Sequence, residues 1–207
     1  MAIDVKSIIA DAFLHLCRER NLSKITIADI QAASGVSRQT FYNHFKDKLD
    51  LIRYVYDSRV ISLWKVPDQL NMDYYRSTLS CFQQDVNYSF FMQQAIRMGG
   101  PNCLTDHMYE HSQQFDRRWH QAHYGSEPMP RELVFASDYH SAAAMRMRLQ
   151  WIADGMPYPP EKLVENTLRM RLFSLNDLLF HQMGDASPYV KAAMRIDGLY
   201  DEWRFSR

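Results

Sequence analysis

The sequence predicts an all-α protein of about nine helices. Apolar residues recur at intervals of three and four through most of the 207 residues, which is the period of a helix with one buried face. After residue 70 no alternating run rich in Val, Ile or Thr indicates a strand. Glycine and proline breaks divide the remainder into segments of helical length. We therefore expect a three-helix domain over residues 1–47 and a larger helical domain over residues 48–207.

The first helix is predicted over residues 4–20. Its apolar stripe is formed by Ile9, Phe13 and Leu16, which fall on one face at helical spacing. The segment Asn21-Leu22-Ser23 interrupts this pattern, so the helix is expected to end before it.

Two short helices joined by a tight corner are predicted next. Thr26 can cap the first of them, and Asp29 falls in its first turn, where a carboxylate suits the helix dipole. Gly35 supplies the positive φ that the corner requires. Ser37 can cap the second helix, which is expected to end near His44. The segment has the layout of a helix-turn-helix.

The second helix of this corner has a polar outer face that contains no acidic residue. A short helix carrying hydrogen-bonding side chains can enter the major groove of DNA, and a phosphate surface disfavours carboxylates. The pattern therefore predicts DNA binding. The alternative is a corner with a purely structural role, in a protein that shows no sequence-specific DNA binding. The residues on the outer face are Arg38, Gln39, Tyr42 and Asn43.

Residues 26–49 resemble the signature of the TetR/AcrR family of bacterial one-component regulators. The resemblance covers about the first quarter of the chain. Gln31, Ser34 and Gln39 depart from the family pattern, and Gln39 stands where a small residue is common, which is expected to enlarge the base-reading surface. The residues in register with the signature are Ile30, Gly35, Val36, Ser37, Thr40, Phe41, Tyr42, His44, Phe45, Lys48 and Leu49.

The outer face and the resemblance together assign candidate DNA contacts. Arginine pairs with guanine and Asn or Gln with adenine, whereas hydroxyl, imidazole and ammonium groups bind phosphates. The candidates for base contact are Arg38, Gln39 and Asn43. The candidates for phosphate contact are Thr26, Ser37, Thr40, Tyr42, His44 and Lys48.

The distribution of charge supports a DNA-binding N-terminal end, but only weakly. The net charge is zero, yet residues 1–65 hold 10 basic against 7 acidic residues and the remainder holds 14 against 17. The three cysteines (Cys17, Cys81 and Cys103) have no metal-binding spacing and are expected to be buried thiols of a reducing cytosol. No secretory leader and no membrane-spanning run is recognisable, so we expect a cytoplasmic protein.

Six helices are predicted after the corner. Gly99-Gly100-Pro101 is the strongest break among them, and we interpret it as a helix cap followed by a helix-starting proline rather than as a phosphate loop. The predicted ranges are 47–64, 72–98, 102–123, 131–154, 161–183 and 188–203.

Two of these helices predict a subunit interface. Ser141 and the three alanines after it permit close approach, and the helix over 161–183 is apolar on more than one side. The resemblance implies that such helices pair with their copies in a four-helix bundle, so we expect a homodimer that reads an inverted repeat; the alternative is a core within one chain. The interface candidates are Leu168, Leu172, Leu175 and Leu179.

The middle of the chain is rich in aromatic residues and methionine, and the resemblance implies an effector cavity there. An ordinary filled core is the alternative. His107 and His111 share a helix face, but no third ligand has a clear spacing, so no metal or other cofactor is expected. No catalytic motif is recognisable, so no enzyme is expected. The pocket candidates are Phe82, Phe91, Met98, Asn102, His107, Met108, His111, Trp119 and Tyr139.

These observations favour a DNA-binding transcriptional regulator, with a repressor released by a small-molecule effector as the first interpretation. The string over residues 38–48, the Gly-Gly-Pro-Asn break at 99–102 and the Trp-Ile-Ala-Asp-Gly-Met segment at 151–156 also resemble the branch that contains activators of dihydroxyacetone-kinase operons. That branch implies an alternative, an activator or a regulator controlled by a partner protein. A helical enzyme or scaffold is a distant alternative.

Overall fold

The structure is a computed structural model that describes residues 4–61, 74–125 and 127–172. Every regular element within these ranges is helical, as the sequence predicts, and nine of them are α-helices. None of the described helices has the length and apolar character needed to cross a membrane. The chain divides into two compact units, Met1–Val164 and Glu165–Arg207. Only residues 165–172 of the second unit are described.

The N-terminal head contains α1 (Val5–Glu19), a short 3₁₀ turn (Leu22–Lys24), α2 (Ile27–Ser34) and α3 (Arg38–His44). These bounds agree with the predicted ones to within one or two residues. Its core is formed by fully or almost fully buried side chains from all three helices, which fixes α3 at the surface of the head. They include Ile9, Phe13, Leu16, Ile30, Phe41 and Phe45.

The fourth helix, α4 (Lys48–Val55), runs on into a π turn (Tyr56–Val60) that ends at Ile61. The prediction of one regular helix over 47–64 is therefore wrong for residues 56–60. The Ser58 hydroxyl donates to the Tyr54 carbonyl at 2.7 Å, which competes with the regular i to i−4 bond. The Ile61 N–H instead reaches back five residues to the Tyr56 carbonyl at 3.0 Å. Residues 62–73, which include the predicted helix end, lie outside the described part.

The helix predicted over 72–98 is two helices, α5 (Tyr74–Asn87) and α6 (Ser89–Ala95). Tyr88 separates them with φ −106° and ψ 26°, outside the helical region. Asn87 and Ser89 are weak helix formers, and the Asn87 side chain donates to Gln84 at 3.3 Å. The break lets α6 pack on α1, where the rings of Phe91 and Phe13 meet edge to face with centroids 6.3 Å apart.

Three further helices follow: α7 (Leu104–Tyr124), α8 (Arg131–Ala153) and α9 (Pro160–Leu172). The pair α7 and α8 is held by buried and exposed polar contacts, among them Ser141 to Ser112 at 3.2 Å and the Arg117–Asp138 ion pair at 2.6 Å. The predicted continuation of α9 to residue 183 and the predicted helix over 188–203 lie outside the described residues.

Candidate nucleic-acid interface

The start of α2 is closed by a reciprocal cap. The Thr26 hydroxyl oxygen accepts from the Asp29 N–H at 3.2 Å, and the Thr26 N–H donates to the Asp29 carboxylate at 2.8 Å. The Thr26 hydroxyl also donates to this carboxylate at 2.7 Å, and Arg20 pairs with it at 3.1 Å. The bonds from Thr26, with the Arg20 charge, lower the pKa of Asp29. The predicted cap is present, and the Thr26 hydroxyl is engaged within it.

The corner between α2 and α3 depends on Gly35. Its φ of 70° is in the left-handed region, and its N–H donates to the Gln31 carbonyl at 2.9 Å, as in a helix cap. A Cβ at this position would meet no atom within 4 Å, so glycine is required by the backbone conformation and not by crowding.

The start of α3 is capped by Ser37, whose hydroxyl oxygen accepts from the Thr40 N–H at 3.0 Å. The same oxygen lies 2.8 Å from the Thr40 hydroxyl. The inner face of α3 buries Phe41 completely, and Phe45 just beyond the helix is 2% exposed. These anchors orient the helix, so its other face must point outward.

The outer face of α3 carries two rows of polar side chains. The Arg38 guanidinium lies over the Tyr42 ring at 5.5 Å from its centroid. In the second row, Gln39 Nε2 donates to Asn43 Oδ1 at 3.0 Å. All four side chains are exposed. Because each pair is four residues apart, both rows run along the helix axis and present donors and acceptors side by side.

The remaining phosphate candidates differ in accessibility. Ser37 is exposed, whereas Thr40 and His44 are half-buried. The Lys48 ammonium is half-buried and donates to the backbone carbonyls of Ile25 at 2.8 Å and Leu22 at 3.1 Å. Burial lowers the Lys48 pKa. The structure thus places Lys48 against the 3₁₀ turn, an attachment that sequence reasoning missed because backbone carbonyls leave no signal in a sequence.

The comparisons with known proteins agree with this geometry. The family model described as bacterial regulatory proteins of the tetR family matches residues 9–55, and the model of a transcriptional regulator C-terminal region matches residues 72–171. Together the two models span most of the chain. It belongs to the TetR family. The resemblance seen in the sequence is confirmed, and so is the assignment as a DNA-binding transcriptional regulator.

Individual relatives of this TetR-family protein include activators. The HTH-type dhaKLM operon transcriptional activator DhaS of Lactococcus lactis subsp. lactis (strain IL1403) is 32% identical over 74 residues, which is 36% of this chain and 37% of that protein. The chain therefore matches little more than a third of the length of this curated relative. Family members bind DNA and form dimers.

Solved structures show the same fold. A dihydroxyacetone kinase operon activator DhaS has a TM-score of 0.65 at 20% identity, covering 83% of this chain and 96% of its own. A TetR transcriptional regulator from Streptococcus agalactiae 2603V has a TM-score of 0.54 at 17% identity, covering 80% of this chain and 92% of its own. At these identities the likeness concerns the fold alone.

In this TetR-family regulator, specific polar contacts join the head to the part of the chain that we call the body (residues 48–61, 74–125 and 127–164). The Gln94 side chain of α6 accepts from the Leu22 N–H at 2.7 Å and donates to the Phe90 carbonyl at 2.6 Å. Arg59 of the π turn donates to Asp11 of α1 at 2.9 Å and to Ser7 at 3.0 Å. Sequence reasoning identified neither Gln94 nor Arg59, since their partners lie far away along the chain.

The interior of the body holds an ion pair that the sequence did not reveal. Arg148 of α8 donates to both carboxylate oxygens of Asp85 in α5 at 2.7 and 2.8 Å, and to the Tyr56 hydroxyl at 3.2 Å. Burial raises the pKa of Asp85 and the nearby arginine lowers it, and the bidentate geometry favours the charged pair. The Tyr56 ring also meets His107, whose Nε2 lies 2.7 Å from Asp57 Oδ1.

The predicted pocket residues are distributed over several places. Phe82 lies under the Arg148 guanidinium, and His107 meets the ring of Tyr56, to which Arg148 donates. The Arg148 charge also acts on His111, and Met108 of the same helix is fully buried. Phe91 packs on α1, Trp119 packs on Tyr74, and Asn102 is exposed with φ 59°. Within the described ranges no group of three or more His, Cys, Asp or Glu side chains could hold a metal ion.

The interface candidates are only partly described. Leu168 is half-buried on α9, whereas the side chain of Leu172 and residues Leu175 and Leu179 lie outside the described part. On α8, Phe135 and Tyr139 are 70% and 71% exposed, and their rings stack with centroids 6.4 Å apart. Met147 on the same helix is 53% exposed. These side chains lie on one face of α8, because their positions follow one another at intervals of four residues. We call this face the α8 stripe; it consists of Phe135, Tyr139, Ala143 and Met147.

Proposed function

We propose that this regulator reads an inverted-repeat operator with the α3 helices of two subunits, and that residues 1–47 form the reading domain and residues 48–207 the regulatory domain. The observation that supports this proposal is the outer face of α3, which presents four exposed polar side chains on a helix whose inner face is buried through Phe41. A single short helix reads few bases, so two heads would read half-sites about 34 Å apart, or a multiple of that distance.

Base edges are assigned to Arg38, Gln39 and Asn43. The Gln39 amide holds the Asn43 carbonyl oxygen, which leaves the Asn43 amino group and the Gln39 carbonyl oxygen facing outward. Such a pair offers one donor and one acceptor, as adenine requires in the major groove. The Arg38 guanidinium, stacked on Tyr42, is suited to the two acceptors of guanine.

Phosphate contact is assigned to Ser37, Thr40, Tyr42 and His44, which lie on or next to the outer face of α3. For Thr26 and Lys48 the internal contacts support a different contribution. Thr26 closes the α2 cap and Lys48 holds the 3₁₀ turn, so both orient the head that meets the phosphates.

Dimer formation is assigned to α8 and α9. Phe135, Tyr139 and Met147 of the α8 stripe are mostly exposed in the single chain, and large exposed apolar faces mark interaction surfaces. Pairing of this stripe with its copy would remove the aromatic rings from water. Leu168, Leu172, Leu175 and Leu179 are further interface candidates, on the basis of the sequence pattern.

Control of DNA binding is assigned to a small-molecule effector, with repression as the basal activity. The π turn connects α4, which follows the head, to the buried Arg148–Asp85 pair through Tyr56, so a molecule that changes the packing around these residues would move α4. An effector shifts the equilibrium between head positions only by binding one of them more tightly.

An activator controlled by a partner protein is the second candidate function. It is favoured by the similarity to a protein described as a dhaKLM operon transcriptional activator, over 36% of this chain. Titration with metabolites would leave the DNA affinity of such a regulator unchanged, whereas capture on an immobilised operator from cell lysate would recover a second protein.

The location of the protein is a separate proposal. The three described cysteines are buried and form no disulfide, which fits the cytoplasmic location that we propose.

Selection of bound fragments from the source genome tests the operator proposal. Wild type is compared with Arg38→Ala/Tyr42→Ala and with Arg118→Ala, an exposed arginine of α7 that serves as the control for lost positive charge. We expect one inverted repeat with wild type and with Arg118→Ala, and its loss in the double variant. Folded, dimeric protein that enriches no fragment, alone or in lysate, would contradict the proposal.

A further inference from the structure

A cavity of about 290 Å³ lies between the head and α6. Such a volume suits a small ligand, since pockets for drug-sized molecules begin at roughly 300 Å³. It is separate from the predicted effector pocket, with which it shares only Met98. The residues that line it are Asn21 and Ser23 of the head and Gln93, Gln94, Arg97 and Met98 of the body.

Donors outnumber acceptors in this cavity, because Arg97 adds a guanidinium to the side-chain amides of Asn21 and Gln93. The Asn21 carbonyl oxygen already accepts from the Ser23 N–H at 2.9 Å and from the Ser23 hydroxyl at 2.7 Å, so its amino group remains. Gln94 is used at both ends, by Leu22 and Phe90. Arg97 gives one N–H to the Ala153 carbonyl at 3.3 Å, out of the five that a guanidinium carries.

Competing negative groups are few at this position. The six lining residues include no carboxylate. The carbonyls that end α6 are engaged as well, because the Arg97 N–H donates to the Gln94 carbonyl at 3.2 Å and the Met98 N–H to the Ala95 carbonyl at 3.1 Å. A guanidinium and the amino groups of Asn21 and Gln93 beside one thioether match a small anion with a short apolar part.

We propose that this cavity, which we call the head cavity, binds a small organic acid, whose carboxylate pairs with Arg97 and with the Asn21 amide while its carbon chain packs on Met98. The cavity borders the Leu22–Gln94 hydrogen bond, the contact that joins the 3₁₀ turn of the head to α6. A bound acid would therefore touch both parts and favour the arrangement in which they meet.

The consequence for regulation rests on the function proposed above. If the acid binds one head position more tightly, DNA must change the affinity for the acid by the same factor that the acid changes the affinity for DNA. The head cavity would then give this regulator a second control point, at the head itself and apart from the Arg148 region.

Amide NMR of the full-length, ¹⁵N-labelled protein tests the site. Sodium succinate is titrated at constant ionic strength, with neutral succinamide as the matched probe without charge. We expect saturable shifts of the Leu22 and Ser23 amide signals with succinate and none with succinamide. Arg97→Ala is expected to weaken succinate binding at least tenfold, and Arg118→Ala to leave it unchanged.

Two results would overturn the inference: no saturable shift at Leu22 and Ser23, or equal shifts in Arg97→Ala and wild type. Binding of the selected operator by the same samples, measured without succinate, separates this failure from that of the proposed function. Protein that binds the operator but not succinate refutes the head cavity alone. Protein that binds succinate but no DNA refutes the operator proposal alone.

Discussion

Arg148 and Asp85 form an ion pair joined by two hydrogen bonds, and their side chains are 1% and 0% exposed. The pair joins α8 to α5, and the third bond of Arg148 reaches the Tyr56 hydroxyl in the π turn that follows α4. Desolvation of two charges opposes folding, and the two hydrogen bonds of the pair with the third to Tyr56 offset that cost. It ties two helices of the body to the segment that leads to the DNA-reading head.

Removing one member of this pair is expected to destabilise the protein strongly. Asp85→Asn leaves the Arg148 charge buried without its counter-charge, and we expect a loss of about 3–5 kcal/mol in the free energy of unfolding. Urea denaturation at fixed protein concentration measures it. Asp138→Asn, which breaks the more exposed pair with Arg117, is the control and should cost less than about 1 kcal/mol. Equal losses in both variants would contradict this account.

Removing Arg38 is expected to change which sequence is read. Arg38→Ala should cost about 1–3 kcal/mol of operator binding for each half-site and relax the preference at one base position in each. Gln39→Ala should relax a different position, because Gln39 and Asn43 form the other row of α3. Binding-site selection with each variant checks both outcomes. An unchanged preferred sequence in Arg38→Ala would mean that α3 lies in the groove in another orientation.

A substitution of Lys48 tests whether this residue supports the structure of the head or binds a DNA phosphate. Since its ammonium holds carbonyls of the 3₁₀ turn, Lys48→Met should lower the free energy of unfolding by about 1–3 kcal/mol and leave the salt dependence of DNA binding unchanged. Fluorescence anisotropy across a salt series supplies the slope. A slope smaller by about 0.9 for each subunit would instead assign Lys48 to a phosphate, as first expected from the family resemblance.

His111 should make stability depend on pH. Burial lowers its pKa from 6.5 to about 4, so the unfolded chain binds a proton that the folded chain does not. The His111 contribution to stability is therefore complete above pH 6.5, falls as the pH drops towards 4 and is lost below it. His111→Gln should weaken this fall in urea denaturation. His15→Gln, at an exposed position on α1, is the control and should retain it.

The features that the sequence predicted correctly are those that depend on neighbours within a few residues. Thr26 with Asp29, Ser37 with Thr40, and Gly35 with Gln31 each form a cap inside one helical turn. Their residue types and spacing are therefore sufficient to place α2 and α3. The outward direction of Arg38 and Gln39 follows once Phe41 is recognised as the buried anchor.

The sequence alone thus determined the helical class, the helix-turn-helix and the face of α3 that can meet DNA, because local caps and apolar periodicity act over short distances. Only the tertiary structure decided which helices the buried charges join. Arg148 and Asp85 are 63 residues apart, and Gln94 and Leu22 are 72 apart. Such pairs form only after the chain has packed, so no local pattern predicts them. The break at Tyr88 and the π turn at Tyr56 combine local causes, the Asn87 side chain and the Ser58 hydroxyl, with packing against partners that are distant in sequence.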